Sequence, residues 1–370
     1  MFYDWLSIYQ DFDPSLDLPV LSDRYKLVID TETGESLGKE QPTLKVEGSF
    51  STSITIRISG NRITVKGNPS RFNRLDNLVG FATIDEMVDV YNGILSDLNL
   101  PRFTKCTQIF YLSGKDGSRV QKSSDGAVIT ELHCTTNRAV GLGNVQDYLS
   151  GLSTQRYRNS IPRLHTNGST VDWLSREQNA ALIYPSVYEK SVEMEIHLLP
   201  KFKRKYGRES LEYEYAERVA NFCYTQGVVR FEQKLKSRFL RREDLSFWGI
   251  SDYSVLIPLH EDFLNIDKRL KVNSMDYQTI SEQLLDEEIC RNTQSANSTA
   301  SVFFMWLHGQ KIDLSKSQAR VHRTRLRKLG IDIAESCDVT KHSPVRVIHC
   351  RTIVVSEVRV PDWYQMPKAA

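Results

Sequence analysis

The sequence predicts an α+β protein: an antiparallel sheet with helices on one face, followed by a C-terminal module of helix-turn-helix type. Three patterns predict it. Thr52 to Ser59 and Arg62 to Lys66 alternate apolar and polar residues on either side of Gly60-Asn61, the pattern of a hairpin of half-buried strands. Ile84 to Leu98 places Met87, Val90, Tyr91 and Leu95 on one stripe, as an amphipathic helix does. Late in the chain Lys316, Arg320, Arg323 and Arg327 recur at helical spacing opposite Ala319, His322, Leu326 and Leu329. That segment reads as a helix with a basic face and an apolar face.

The chain has 370 residues, enough for two domains or one large one. Pattern divides it into a β-rich region over 1–104, a central region over 105–295 and the C-terminal module over 296–370. Hydrophobic residues make up 40% and charged residues 25%, as in an ordinary soluble globular protein. Met1-Phe-Tyr-Asp-Trp5 lacks the basic start and apolar core of a signal peptide, and no apolar run is long enough to span a bilayer. A cytoplasmic protein with no membrane partner is expected. Cysteines stand at 106, 134, 223, 290, 337 and 350 without a Cys-x-x-Cys pair. This argues against zinc ribbons and thioredoxin-type sites and leaves buried or free thiols. The net charge of +2 does not announce a nucleic-acid binder. Its distribution is more informative: the first fifty residues are acidic, whereas Lys201–Arg208 and Lys316–Lys328 are basic.

In chain order, Gly67 to Ser70 closes the second strand and leads into Arg71-Phe-Asn-Arg74, a loop whose arginines either meet phosphate or are simply solvated. Gln108 to Leu112 is a strand and Gly114 to Gly126 a loop. Ala127 to Thr136 is a strand in which Glu131 and His133 share a face. Two such side chains can grip one divalent ion, and mixed nitrogen and oxygen donors suit Mg²⁺ or Mn²⁺. A hydrogen-bonded sheet histidine is the plain alternative. Val145 to Leu152 is a helix. Arg156, Arg158 and Arg163, with Tyr157 and His165, form a polar loop suited to single-stranded DNA or to solvent. Ala180 to Tyr184 and Val187 to Lys190 read as a strand interrupted by Pro185, and Lys201 to Lys205 as a basic turn. Thr225 to Arg238 is a strand with Val229, Phe231, Gln233 and Leu235 on one face and Arg230, Glu232, Lys234 and Lys236 on the other. Glu232 could serve as metal ligand or general base and Arg230 as a DNA phosphate contact; a cross-strand salt-bridge ladder is the alternative. Leu256 to Leu270 and Thr279 to Cys290 read as connecting helices. Ser298 to Leu307 is an apolar helix and His308-Gly309-Gln310 a turn. Asp313 or Ser315 caps the basic helix, which Gly330 closes. Val345 to Ile348 and Thr352 to Val358 are strands that could form a wing.

The stretch most suited to chemistry is Ser186 to Glu193, Ser-Val-Tyr-Glu-Lys-Ser-Val-Glu. In an extended segment Tyr188 and Lys190 share a face. A phenol is a poor nucleophile at its ordinary pKa, but a nearby cation favours the phenolate, and a metal at the target phosphate eases attack. Tyr-x-Lys is therefore a covalent-catalysis pair for phosphodiester chemistry, with Glu193 close by. A plain surface strand is the alternative. Tyr184 is the second candidate nucleophile. Two tyrosines four apart share a helix face, but Pro185 argues against an uninterrupted helix.

Tyr188-Glu-Lys-Ser-Val-Glu193 resembles the nicking-tyrosine motif of the replication initiators of filamentous bacteriophages. Val229-Arg-Phe-Glu232 and Pro361-Asp-Trp-Tyr364 resemble two further blocks of that family in the same order, and Lys66 to Gly80 resembles a fourth more loosely. The likeness extends to initiators of the RstA type. Glu131-Leu-His133 is similar to the His-hydrophobe-His metal motif of rolling-circle nucleases, where the phage initiators themselves carry Arg-x-Asp. The resemblance implies a rolling-circle-nuclease-like core and a site- and strand-specific nickase. Tyr188 would become linked to a 5′-phosphate at the phage origin, beside a divalent metal on Glu131, His133 and Glu232. It also implies double- and single-stranded origin DNA as partners, with host helicase and polymerase attending. A non-catalytic DNA-binding regulator, resting on the basic helix alone, is the alternative.

Overall fold

The computed structural model describes residues 1–19, 26–40, 43–48, 53–113, 120–175, 177, 180–272, 277–307, 309–334 and 353–367. Strand β1 (Phe2–Asp11) is followed by β2 (Lys26–Ile29), β3 (Ser36–Glu40), β4 (Leu44–Glu47), β5 (Ser53–Ser59) and β6 (Arg62–Gly67). Helix α1 (Ile84–Asp97) starts at a capping box in which the Thr83 side chain takes the Glu86 amide and Glu86 reaches back to Thr83, satisfying two donors the first turn would leave unpaired. Then come β7 (Ile109–Ser113), β8 (Val120–Ser124), β9 (Val128–Ala139), α2 (Val145–Leu152), β10 (Ile161–Leu164), β11 (Thr170–Leu174) and β12 (Ile183–Glu189). Helices α3 (Lys190–His197), α4 (Leu199–Tyr206) and α5 (Leu211–Gln226) lead to β13 (Val228–Lys236), α6 (Ser237–Arg242) and α7 (Leu256–Leu264). The chain continues through α8 (Tyr277–Asp286), α9 (Thr293–Leu307), α10 (Ser317–Lys328) and β14 (Ser356–Glu357).

A ten-stranded antiparallel sheet runs in the order β10-β11-β12-β13-β9-β1-β6-β5-β4, with β14 added to the end of β9. Strand β13 shows how its two faces differ. Val229, Phe231 and Leu235 have no exposure and enter the apolar cores beneath α1, α2 and α7. Arg230, Glu232, Lys234 and Lys236 alternate with them and therefore face the other way. On that second face Val228 joins a third core built with α3, α4 and α5. Helices thus lie against both faces, where the sequence pointed to one. A fourth core joins α8, α9 and α10. Among the described residues no helix is long and apolar enough to cross a membrane. Cys106, Cys134, Cys223 and Cys290 are buried free thiols.

Several expectations change. Strand β12 runs through Pro185 without a break, because β11 pairs only with Ser186 to Tyr188 and Pro185 lies beyond that ladder. Lys190 is the first residue of α3, so it does not share a strand face with Tyr188. Lys201 to Lys205 lies inside α4, anchored by buried Phe202 and ended by Gly207, and is no turn. Arg74 is no solvated loop arginine: it donates to the Ser70 and Val79 carbonyls at 2.8 and 2.9 Å. Helix α10 has Lys316 at its N-cap with no side-chain cap bond, while Asp313 instead accepts from Ser315 in a turn of its own. Of the expected wing, Val345 to Ile348 lies outside the described residues. Among the described residues of Thr352 to Val358, only Ser356 and Glu357 are paired, and their partners are Ala139 and Arg138 of β9. Of the loop expected from Gly114 to Gly126, residues 114–119 lie outside the described residues, and Val120–Ser124 is not loop but strand β8, paired with β7. Cys337, Cys350 and His308 also lie outside the described residues.

Gly227 ends α5 in the left-handed region at φ +59°, and a Cβ there would meet the Gly141 carbonyl oxygen at 2.2 Å. Gly227→Ala is expected to cost at least ~1–3 kcal/mol, read as a lower urea midpoint at an unchanged m-value.

Candidate active site

Strands β13, β9 and β1 are adjacent at the middle of the sheet, and their polar face gathers ionisable groups. Lys234 and Trp5 flank His133 in register from either side. Asp4, His133 and Glu232 are each less than a tenth exposed, and their donor atoms all lie within 4.8 Å of one another. His133 Nδ1 is 2.7 Å from Glu232 Oε1 and Nε2 is 2.9 Å from Glu131 Oε1. The Trp5 ring stacks on the imidazole, with centroids 5.6 Å apart. Lys236 donates to Glu131 at 2.6 Å.

The electrostatics follow from this crowding. Burial would raise the Glu131 carboxyl, yet bonds from His133 and Lys236 outweigh it and hold the group at about 2. Burial would lower His133, but hydrogen bonds and charge from its carboxylate neighbours raise it above the ordinary histidine value. Asp4 is raised, by burial and then by Glu232, against the pull of Arg230 and His133.

A cleft of about 430 Å³ opens over this cluster, lined by Tyr184, Tyr188 and Asn77 as well as the charged groups. Tyr188 is half-buried, and among the described residues no group exchanges a hydrogen bond with its hydroxyl. Burial, then the Glu232 charge, pushes the phenol well above its ordinary pKa, while Arg230, directly across on β13, works the other way. Tyr184 differs. Its hydroxyl donates to Asp172 at 2.8 Å, and burial together with that carboxylate raises it to about 12. Asp172 also takes Arg163 at 2.7 Å and His165 at 3.0 Å.

Two expected participants sit under the cleft and not in it. Lys190 has no exposure; its Nζ donates to Glu193 at 2.6 Å and to Asn77 at 2.8 Å. Arg230 also has no exposure, so it is corrected from a DNA contact to a buried cation. Its donors go to the Asn77 and Leu78 carbonyls at 2.6 and 2.8 Å, to Asn137 at 2.9 Å and to Asp4 at 3.4 Å. On α10, Lys316, Arg320 and Arg327 are exposed, but Arg323 makes a two-point ion pair with Asp332, which Arg156 also reaches.

Two carboxylates and an imidazole are a donor set that suits a hard divalent cation, so Asp4, His133 and Glu232 could hold a metal ion. Asp4 joins His133 and Glu232 of the expected set, while Glu131 lines the same cleft and is bonded to Lys236 and His133. A neutral imidazole is the ligand form, so entry of an ion would displace a proton from His133. A charged residue inside the otherwise apolar Phe2-Tyr-Asp-Trp-Leu6 was the available signal for Asp4. The signal for Asn77 was the loose likeness of Lys66 to Gly80 to a family block. Asp4→Asn is expected to weaken Mn²⁺ binding at least ~10-fold, the loss typical of outer partners alone. Glu131→Gln should weaken it less, by titration calorimetry at neutral pH.

Two family models match the chain, both describing a replication-associated protein: the N-terminal model over residues 2–253 and the C-terminal model over residues 284–370. It is 51% identical over 314 residues to the replication-associated protein of Escherichia phage If1, a match covering 85% of this chain and 98% of that protein. No solved structure matches it. The chain therefore belongs to the replication-associated protein family of filamentous-phage replication initiators.

Proposed function

We propose that the protein nicks one strand at its phage's replication origin through a phosphotyrosine on Tyr188, and later rejoins it. The observation that carries this reading is the cleft itself. A half-buried phenol without a hydrogen-bond partner among the described residues shares it with Asp4, His133 and Glu232. The phenol oxygen attacks phosphorus as the bond to the 3′-oxygen breaks. The phenol gives up its proton to Glu131, the cleft carboxylate outside the metal set, and that proton passes on to the departing 3′-oxygen. The 5′-phosphate stays on Tyr188 as an ester, so attack by a free 3′-hydroxyl can reverse the step. A divalent metal on Asp4, His133 and Glu232 would supply positive charge to the phosphate oxygens. Arg230 stabilises the developing phenolate from beneath, since the two residues pair across β12 and β13. Lys190 acts through Asn77 and Glu193 and not on the phosphate.

In this reading α9 and α10 form a helix-turn-helix that docks on double-stranded origin DNA, with Lys316, Arg320 and Arg327 toward phosphate. The cleft takes the single strand. The released 3′-hydroxyl primes a host polymerase, with a host helicase opening the duplex, in the cytoplasm of the bacterial host.

Tyr188→Phe is expected to abolish relaxation of supercoiled origin DNA with Mg²⁺ or Mn²⁺ while keeping the gel shift. Mass spectrometry should map the oligonucleotide adduct to Tyr188. An adduct on Tyr184 would move the nucleophile, and a wild-type protein that shifts DNA without cutting it would be a regulator. For α10, replacing Arg320 and Arg327 by Gln should flatten the slope of log affinity against log salt by about 2 for duplex DNA. Arg323→Gln should change it less, because its charge is already met by Asp332.

A further inference from the structure

Pro361-Asp-Trp-Tyr364 is far from Tyr188 in sequence and touches none of the groups in the proposed chemistry, yet its place in the fold is specific. Tyr364 is 7% exposed, and its hydroxyl is saturated. It donates to Asp76 Oδ1 at 2.7 Å and accepts from the Val79 amide and from Arg74 Nη2, both at 3.0 Å. Arg74 also donates to the Gln365 carbonyl at 2.8 Å. The adjoining Trp363 lies under Arg218 of α5, with 4.1 Å from the guanidinium carbon to the ring centre, and meets Tyr215 edge-on. The C-terminal segment is thus a strap between α5 and residues 74–79.

The other side of that segment is the cleft. Asp76 also caps the Leu78 amide at 2.7 Å, setting the turn that presents Asn77. Asn77 lines the cleft beside Tyr188. Its side chain is held by Lys190 and its carbonyl by Arg230. One short loop is therefore gripped from below by two buried cations and from outside by the Tyr364 phenol, with the Tyr215 hydroxyl donating more weakly to the other Asp76 oxygen at 3.3 Å. Without the outer grip, Asp76 loses one of the bonds that fix its carboxylate, and the turn that it caps is freer to move.

We propose that Tyr364 is a positioning residue for the nicking cleft, setting the Asn77 wall against which Tyr188 and the scissile phosphate are aligned. This rests on the nicking reading above. A displacement of about 1 Å at a reacting centre costs up to ~100-fold in rate, so the expected loss falls on the cleavage step and not on DNA affinity.

The test uses the full-length protein and supercoiled genome of its phage, following adduct formation at Tyr188 in a single turnover. Tyr364→Phe, which removes only the hydroxyl, should slow cleavage ~10–100-fold with DNA affinity held to about twofold, a loss in kcat and not in KM. Asn77→Ala should slow it as well. The double variant should be no slower than the worse single one, because residues acting through one another are not additive. Wild-type cleavage by Tyr364→Phe, or multiplying losses in the double variant, overturns the proposal. If Tyr364→Phe does not fold, Asn77→Ala decides, and a wild-type rate there overturns it equally. A wild-type protein that forms no adduct sinks the nicking reading instead, and that control separates the two failures.

Discussion

The structure depends on taking several full charges out of water at the centre of the sheet. Asp4, Arg230 and Glu232 are almost without exposure, and His133 joins them. A buried charge is tolerable only when it is paired and hydrogen-bonded, and removing one partner of such a pair costs roughly 3–5 kcal/mol because the other is stranded. Arg230 meets this by spreading its donors over two carbonyls, an amide oxygen and a carboxylate. The register of β13, β9 and β1 is thereby fixed twice, by apolar residues on one face and by charges on the other. A slip of one residue would place Arg230 and Glu232 in the hydrocarbon of the opposite face.

The same requirement explains why the loop between β6 and α1 is held so firmly. A guanidinium at the middle of a sheet needs acceptors, and residues 77 and 78 supply backbone carbonyls. Asn137 of β9 donates to the Leu78 carbonyl as well, so the loop is tied to two central strands. Lys190, carried on the first turn of α3, reaches Asn77 from another direction. Its depressed pKa, caused by burial and then by the Arg230 charge, is the cost of that position, and the Glu193 carboxylate offsets it. The lysine that sequence spacing set beside the Tyr188 phenol is buried behind Asn77, in the wall that lines the cleft.

How far these features were legible in the sequence varies with their physics. The strands around Gly60-Asn61, the helix after Thr83, the two faces of β13 and the inner and outer stripes of α10 were legible, because local periodicity and turn chemistry decide them. Glu131, His133 and Glu232 were identified as one polar group because alternation puts each on a definite face. Asp4 was not, since its membership depends on β1 lying beside β9, a pairing across more than a hundred residues. The depth of Arg230 was equally hidden, because nothing local says that residues 77 and 78 will cover it. Pro185 misled for a related reason. A proline weakens a strand only where its neighbour needs the missing amide, and the neighbouring ladder starts one residue later.

The extended course of β12 also bears on the two tyrosines. On a helix, residues four apart stand about 5–6 Å from one another and could exchange one phosphate. On a strand the same spacing opens to roughly 13 Å, and Tyr184 and Tyr188 are on one strand and one face. Their hydroxyls are also in different electrostatic states: Tyr184 is committed to Asp172, which Arg163 and His165 already share, whereas Tyr188 faces the cleft charges directly. A hand-over between neighbouring phenols does not suit that geometry. The nicking proposed above, with one phenol esterified and then released by a returning 3′-hydroxyl, asks the cleft to hold the two DNA ends and the ester together. A wall fixed to the sheet centre by the buried cations beneath Asn77 would serve that proposal.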